Sequence, residues 1–217
     1  FMIKAVIFDM DGLMFDTERL AVPTWQRISR ELGYEMPAEF VINMFGRSAS
    51  AISADIKKTF GEEFDTELGW KLRKQYVTEW IDKHGVPLKP GLKELLKYIR
   101  QKGLKTAIAT STDLHLVEHY LNLSGLTDYY DGIVTGQMVA QGKPAPDIYQ
   151  KAARVISVNP KDCLALEDAP AGIRSAKAAG MQVIMVPDMV EPTKELKNIM
   201  TKECQSLHEV ISFIEET

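Results

Sequence analysis

The amino-acid sequence predicts an α/β protein: a doubly wound, parallel, five-stranded Rossmann-like core interrupted by an inserted α-helical domain. Three observations carry that reading. Short apolar runs recur at Ile3 to Phe8, Lys105 to Ala109, Gly132 to Val134, Cys163 to Leu166 and Gln182 to Val186. From the second run onward they are separated by helical periodicity, the alternation that gives a parallel sheet covered on both faces. Between the first two runs, roughly seventy residues read as helices only, far more than a crossover connection needs.

Taken in order, the first run ends at Asp9 and gives way to the inserted helices near Asp16 and Thr17. These span Glu18 to Leu32 with Gly33 as terminator, a short piece near Ala38 to Met44, Ser48 to Phe60, and Thr66 to Lys83. The chain re-enters the core near Pro87, so the expected division is residues 1–16 and 87–217 for the core and 17–86 for the helical domain. The next helix places Leu92, Leu95, Leu96 and Ile99 on one face and meets Gly103 where a C-terminal cap belongs. The second strand runs into a helix beginning near Asp113, and another helix spans about Pro170 to Ala179 and stops at Gly180. Phe1, ahead of Met2, is set aside from this argument.

Composition excludes several classes. A formal net charge of -4 offers no basic field for a nucleic acid backbone, and 45% apolar with 26% charged residues is ordinary globular balance. No stretch approaches the ~20 apolar residues of a membrane span, and no leader pattern precedes the first strand, so a cytoplasmic protein with no membrane or nucleic-acid partner is expected. A monomer is the expected state, with a dimer as the alternative. Cys163 and Cys204 lack metal-ligand spacing and read as buried structural thiols.

The stretch "AVIFDMDGLMFDTE" sets Asp9, Asp11 and Asp16 within eight positions after a strand. Carboxylates this close raise one another's pKa, so either a cation offsets the repulsion or the acids form a solvated turn. Other strand ends answer the question. Parallel strands would bring Thr110 and Ser111, then Lys143 in "GKPAPD", then Glu167 and Asp168 to the same edge, where open α/β sheets bind ligands. Carboxylates from two strands suit Mg²⁺, which takes oxygen ligands and keeps several waters. Hydroxyls, the N-terminus of the following helix and a lysine suit a phosphate. Each residue also has a plainer reading: Thr110 and Ser111 as helix caps, Lys143 as a surface lysine, Asp16 and Thr17 as cap and hinge. Within the inserted helices, Glu18 and Arg47 are the candidates for touching a substrate, against ordinary solvated roles.

The ordered motifs "DMDG" with "DT", "TST", "KPAPD" and "EDAPAG" resemble the haloacid dehalogenase-like hydrolases, in the subgroup of phosphatases and phosphohexomutases with a helical cap after strand one. The resemblance implies that Asp9 is the nucleophile, forming an aspartyl-phosphate, and Asp11 the general acid and then base. It implies that Mg²⁺ is held by Asp9, the Asp11 carbonyl and Asp168 with Glu167 beside them. It further implies that Thr110, Ser111 and Lys143 balance the phosphoryl charge, and that the cap closes over the site. The substrate it implies is a small phosphorylated metabolite. "DGLMFDTERL" and "EDAPAGIRSAKAAGMQVIMVPD" are similar to pseudouridine-5'-phosphatases and small sugar-phosphate phosphatases within the family. A β-phosphoglucomutase-type mutase is the alternative. Against it stand Ala21, Asp113, Leu114 and Ala169, where that enzyme carries a histidine, a lysine, an asparagine and a serine. A non-catalytic module binding a phosphosugar or a protein is the third reading, opposed by the intact Asp9, Asp11, Lys143 and Asp168.

Overall fold

The structure, a computed structural model, describes residues 2–217. Strand β1 (Ala5–Phe8) is followed by a 3₁₀ turn (Glu18–Leu20) and helices α1 (Ala21–Glu31), α2 (Ala38–Ile42), α3 (Ala49–Phe60) and α4 (Thr66–His84). After these come α5 (Leu92–Gln101), β2 (Lys105–Thr110), α6 (Leu114–Ser124), β3 (Gly132–Thr135) and α7 (Asp147–Val155). The chain closes with β4 (Cys163–Glu167), α8 (Pro170–Ala178), β5 (Gln182–Met185), α9 (Lys194–Ile199), β6 (Lys202–Glu203) and α10 (Leu207–Glu215). The chain forms two compact units, one running up to Asp16 and resuming at Val86–Thr217, the other Thr17–Gly85.

In the first unit, six strands pair in parallel in the order β3-β2-β1-β4-β5-β6. The doubly wound α/β class holds, and the strand number is six rather than five. The sixth strand has only two residues, Lys202 and Glu203, opposite Ile184 and Met185. It carries no apolar run to announce it, and a short charged edge is also what discourages pairing with another chain. Strands β1 and β4 are buried along their whole length, the pattern of a sheet covered on both faces. One layer of that cover joins Ala5, Ile7, Ala107, Ala109, Val134 and Ala165 to Ile148, Tyr149 and Ile173. Cys163 and Cys204 are buried free thiols whose pKa values burial pushes up to about 12 and about 11, which keeps them protonated and inert.

Register fixes the functional edge. Phe8 pairs with both Ile108 and Leu166, so Asp9, Thr110 and Glu167 leave the sheet at nearly one level. The outgoing and returning chains meet beside them: the Asp16 amide donates to the Pro87 carbonyl at 2.8 Å, and Phe15 bridges Leu88.

The second unit has its own core of Trp25, Ile28, Val41, Ile56 and Phe64, with the Trp25 and Trp70 rings edge-to-face at 5.1 Å. Ser48 caps α3 by accepting from the Ala51 amide at 3.2 Å, and Asp65 caps α4 by accepting from the Leu68 amide at 2.9 Å.

Candidate active site

Asp9 follows β1 directly, and its amide still donates to Leu166 at 3.0 Å, so the strand pairing holds its backbone. Its carboxylate is buried and receives an ion pair from Lys143 Nζ, which also donates to Glu167 Oε1 at 2.6 Å. Glu167 is fixed from three sides. Tyr149, from α7, donates its hydroxyl to Oε1 at 2.7 Å, while the amides of Asp168 and Ala169 donate to Oε2 at 3.2 and 3.3 Å. Burial pushes the Tyr149 hydroxyl well above its usual pKa, so it remains a donor.

Helix α8 can pass over this carboxylate only because residue 172 is glycine. A Cβ there would lie 1.7 Å from Glu167 Oε1. Gly12 does the same for Asp168: it has a φ of +82°, and a Cβ would lie 2.2 Å from Asp168 Oδ2. Asp11 is tied to the end of β2, since Thr112 Oγ1 donates to its Oδ2 at 2.6 Å while the Thr112 amide donates to Thr110 Oγ1 at 3.1 Å.

The electrostatics follow from burial. Desolvation pushes the Asp9 pKa up to about 8; Lys143 opposes the shift, and Glu167 and Asp11 add to it. Burial pulls Lys143 down, but Asp9 and Glu167 hold it above its ordinary value, so it stays an ammonium. Oxygens of Asp9, Glu167 and Asp168 lie within 4.8 Å of one another. Three carboxylates gathered beside Lys143 suit a divalent cation when they are ionised. This all-oxygen set, with Gly12 leaving room for the Asp168 carboxylate, fits a hard cation such as Mg²⁺.

The core candidates therefore gather as follows: Asp9, Lys143, Glu167 and Asp168 form the cluster, Asp11 is strapped to Thr112, Thr110 is buried at the end of β2, and Ser111 is exposed just after it. Asp16 and Thr17 are buried at the junction. Glu18 lies 3.5 Å from Arg73, and Arg47 pairs with Asp55, both inside the helical unit. Sequence reasoning passed over Thr112, the last residue of "TST", and Tyr149, six residues after Lys143. Nothing in one sequence distinguishes their hydroxyls from packing groups. Gly12 and Gly172 belong to the "DMDG" and "EDAPAG" motifs, but the carboxylates they make room for are brought to them only by folding.

Such an edge, with carboxylates and a lysine gathered where the strands of a doubly wound α/β sheet end, is where that class of fold binds its ligands. The chain belongs to the haloacid dehalogenase-like hydrolases, whose family profile matches residues 6–186. Hexitol phosphatase B of Escherichia coli strain K12 is 30% identical over 200 residues, spanning 85% of this chain and 84% of its own. A Drosophila melanogaster protein named "Probable pseudouridine-5'-phosphatase" is 33% identical over 190 residues, 84% of this chain and 80% of its own. The crystal structure of CbbY from Rhodobacter sphaeroides in complex with phosphate superposes with a TM-score of 0.80 at 26% identity, over 96% of each chain. The family and its phosphatase relatives make this chain a phosphoric monoester hydrolase.

Proposed function

We propose that the chain is a Mg²⁺-dependent phosphatase of a small monoester, a sugar or nucleoside phosphate, working through an aspartyl-phosphate. The observation that carries this reading is the buried cluster of Asp9, Glu167 and Asp168, two of whose carboxylates pair with Lys143. The substrate class is taken from the hexitol and pseudouridine-5'-phosphate specificities in the relatives' names.

Asp9 attacks phosphorus in line, the bond to the ester oxygen breaks, and Asp11 gives that oxygen its proton. Asp11 then takes a proton from water, which attacks the aspartyl-phosphate and releases inorganic phosphate. Thr112 keeps the Asp11 carboxylate in place for both transfers. Lys143 aligns Asp9 and, with Thr110 and Ser111, balances the phosphoryl charge. Asp9, Asp168, Glu167 and the Asp11 carbonyl would hold Mg²⁺, which supplies charge neutralisation at the transferring group. The inserted domain, residues 17–86, is assigned the choice of substrate, with Glu18 and Arg47 as the positions to vary.

Phosphate release from a monoester panel, in Mg²⁺ and in EDTA, tests the reading. Turnover is expected with Mg²⁺ alone and is expected to vanish in Asp9→Asn. Hydrolysis that persists in EDTA or in that variant overturns the mechanism. Conversion of β-glucose 1-phosphate to glucose 6-phosphate without phosphate release would install the mutase instead.

A further inference from the structure

Asp188 lies just beyond β5, at the same sheet edge as Glu167 and Asp168. Its side chain is 7% exposed, and its two oxygens differ. Oδ1 accepts from Lys89 Nζ at 2.6 Å, whereas Oδ2 is buried without a hydrogen-bond partner among the described residues. A buried carboxylate oxygen is ordinarily satisfied, so this one calls for a donor. Its location indicates which. Asp188 Oδ2 lies 3.4 Å from the point a Cβ would occupy on Gly12, and Asp168 Oδ2 lies 2.2 Å from that same point. Two carboxylates converging over one glycine repel unless a proton donor or a cation stands with them. The oxygens near enough to one another to share an ion belong to Asp9, Glu167 and Asp168, and Asp188 is not among them.

We propose that Asp188 Oδ2 accepts a hydrogen bond from water in the hydration sphere of the divalent cation assigned to that cluster, while Lys89 pairs only with the other oxygen, Oδ1. Mg²⁺ surrenders its waters reluctantly, so a buried acceptor for one of them adds to affinity and helps to fix the ion's position. The inference rests on the metal-dependent reading above and extends the cation site to β5. The competing account is a purely structural pair: Lys89 also donates its amide to Met14 at 2.9 Å, so the ion pair could serve only to pin the returning chain.

The two accounts separate in a titration of the full chain with Mn²⁺, with free ion followed by electron paramagnetic resonance and no turnover involved. Asp188→Asn, which keeps the shape, is expected to weaken Mn²⁺ binding about tenfold. Lys89→Met frees the carboxylate from its partner and is expected to leave binding within about twofold or to tighten it. If Asp188→Asn does not fold, Asp188→Ser takes its place under the same criteria. An aspartate variant that binds Mn²⁺ like the unaltered protein overturns the proposal, as does equal weakening by both substitutions, which is the mark of a structural pair. Unaltered protein that binds no Mn²⁺ overturns the metal-dependent reading itself, and this inference with it.

Discussion

Asp9, the proposed nucleophile, shows what burial does to a carboxylate. Desolvation pushes its pKa up to about 8 while Lys143 opposes the shift, so replacing it with a neutral isostere is expected to remove little from the folded apo state. Asp9→Asn is therefore expected to lower phosphate release by at least about a thousandfold while leaving the melting temperature in EDTA unchanged or raised. Phosphate assays and thermal denaturation of the same preparation check both halves. Gly12→Ala should behave in the opposite way. Its left-handed φ costs a side chain roughly 1–2 kcal/mol, and the new methyl group displaces Asp168 Oδ2, so stability and Mn²⁺ affinity are expected to fall together in denaturant melts and binding titrations. At this scale the sequence yielded the acids and the lysine, because charged residues at strand ends are visible in one dimension. It did not yield Thr112, Tyr149 or Asp188. A threonine, a tyrosine and an aspartate are common everywhere, and what sets these apart is the carboxylate each one faces.

Helix α7 ties a hydroxyl to the site, since Tyr149 is fully buried and donates to Glu167. Tyr149→Phe should preserve the packing and remove one of the donors to Glu167, costing about 1–2 kcal/mol in urea unfolding with a weaker hold on Lys143. That weakening is expected to appear as a lower kcat with KM nearly unchanged. Most elements were legible because an apolar run or a helical period announces them, as Leu92, Leu95, Leu96 and Ile99 do for α5. The exceptions are instructive. Strand β6 is defined by two ladder partners rather than by composition, and the first inserted helix opens with a 3₁₀ turn at Glu18–Leu20 before α1 begins. The second inserted helix stops at Ile42, short of Met44. Turn type and ladder pairing are set by hydrogen bonds to neighbours, and hydrophobic periodicity does not encode them.

For the whole molecule, Asp9 makes stability depend on pH in a direction that Mg²⁺ should cancel. Its folded pKa of about 8 exceeds the ordinary 3.8, so in the window between them the folded chain holds a proton that the unfolded chain has lost. The stabilisation is complete below the lower value and is lost as pH rises through the upper one. In EDTA, the difference in stability between the parent and Asp9→Asn is expected to shift against the parent from pH 5 to pH 8, while saturating Mg²⁺ suppresses that shift. Paired melts in the two buffers measure it. Cation binding should also release a proton at pH 7, readable as a buffer-dependent enthalpy in calorimetry. The interruption of the core was legible from an excess of helical residues alone. That its two ends meet through Asp16, Pro87, Phe15 and Leu88 was not, because a hydrogen bond between distant residues leaves no local signature. This junction has a consequence for what the chain can become. An excursion whose ends are already fastened together adds closure entropy only slowly with length, about 0.6 kcal/mol per doubling. Changing the length of residues 17–85 is therefore expected to leave the core strand pairing in place, and under the proposed division of labour the joint is a socket on which new specificities can be grown.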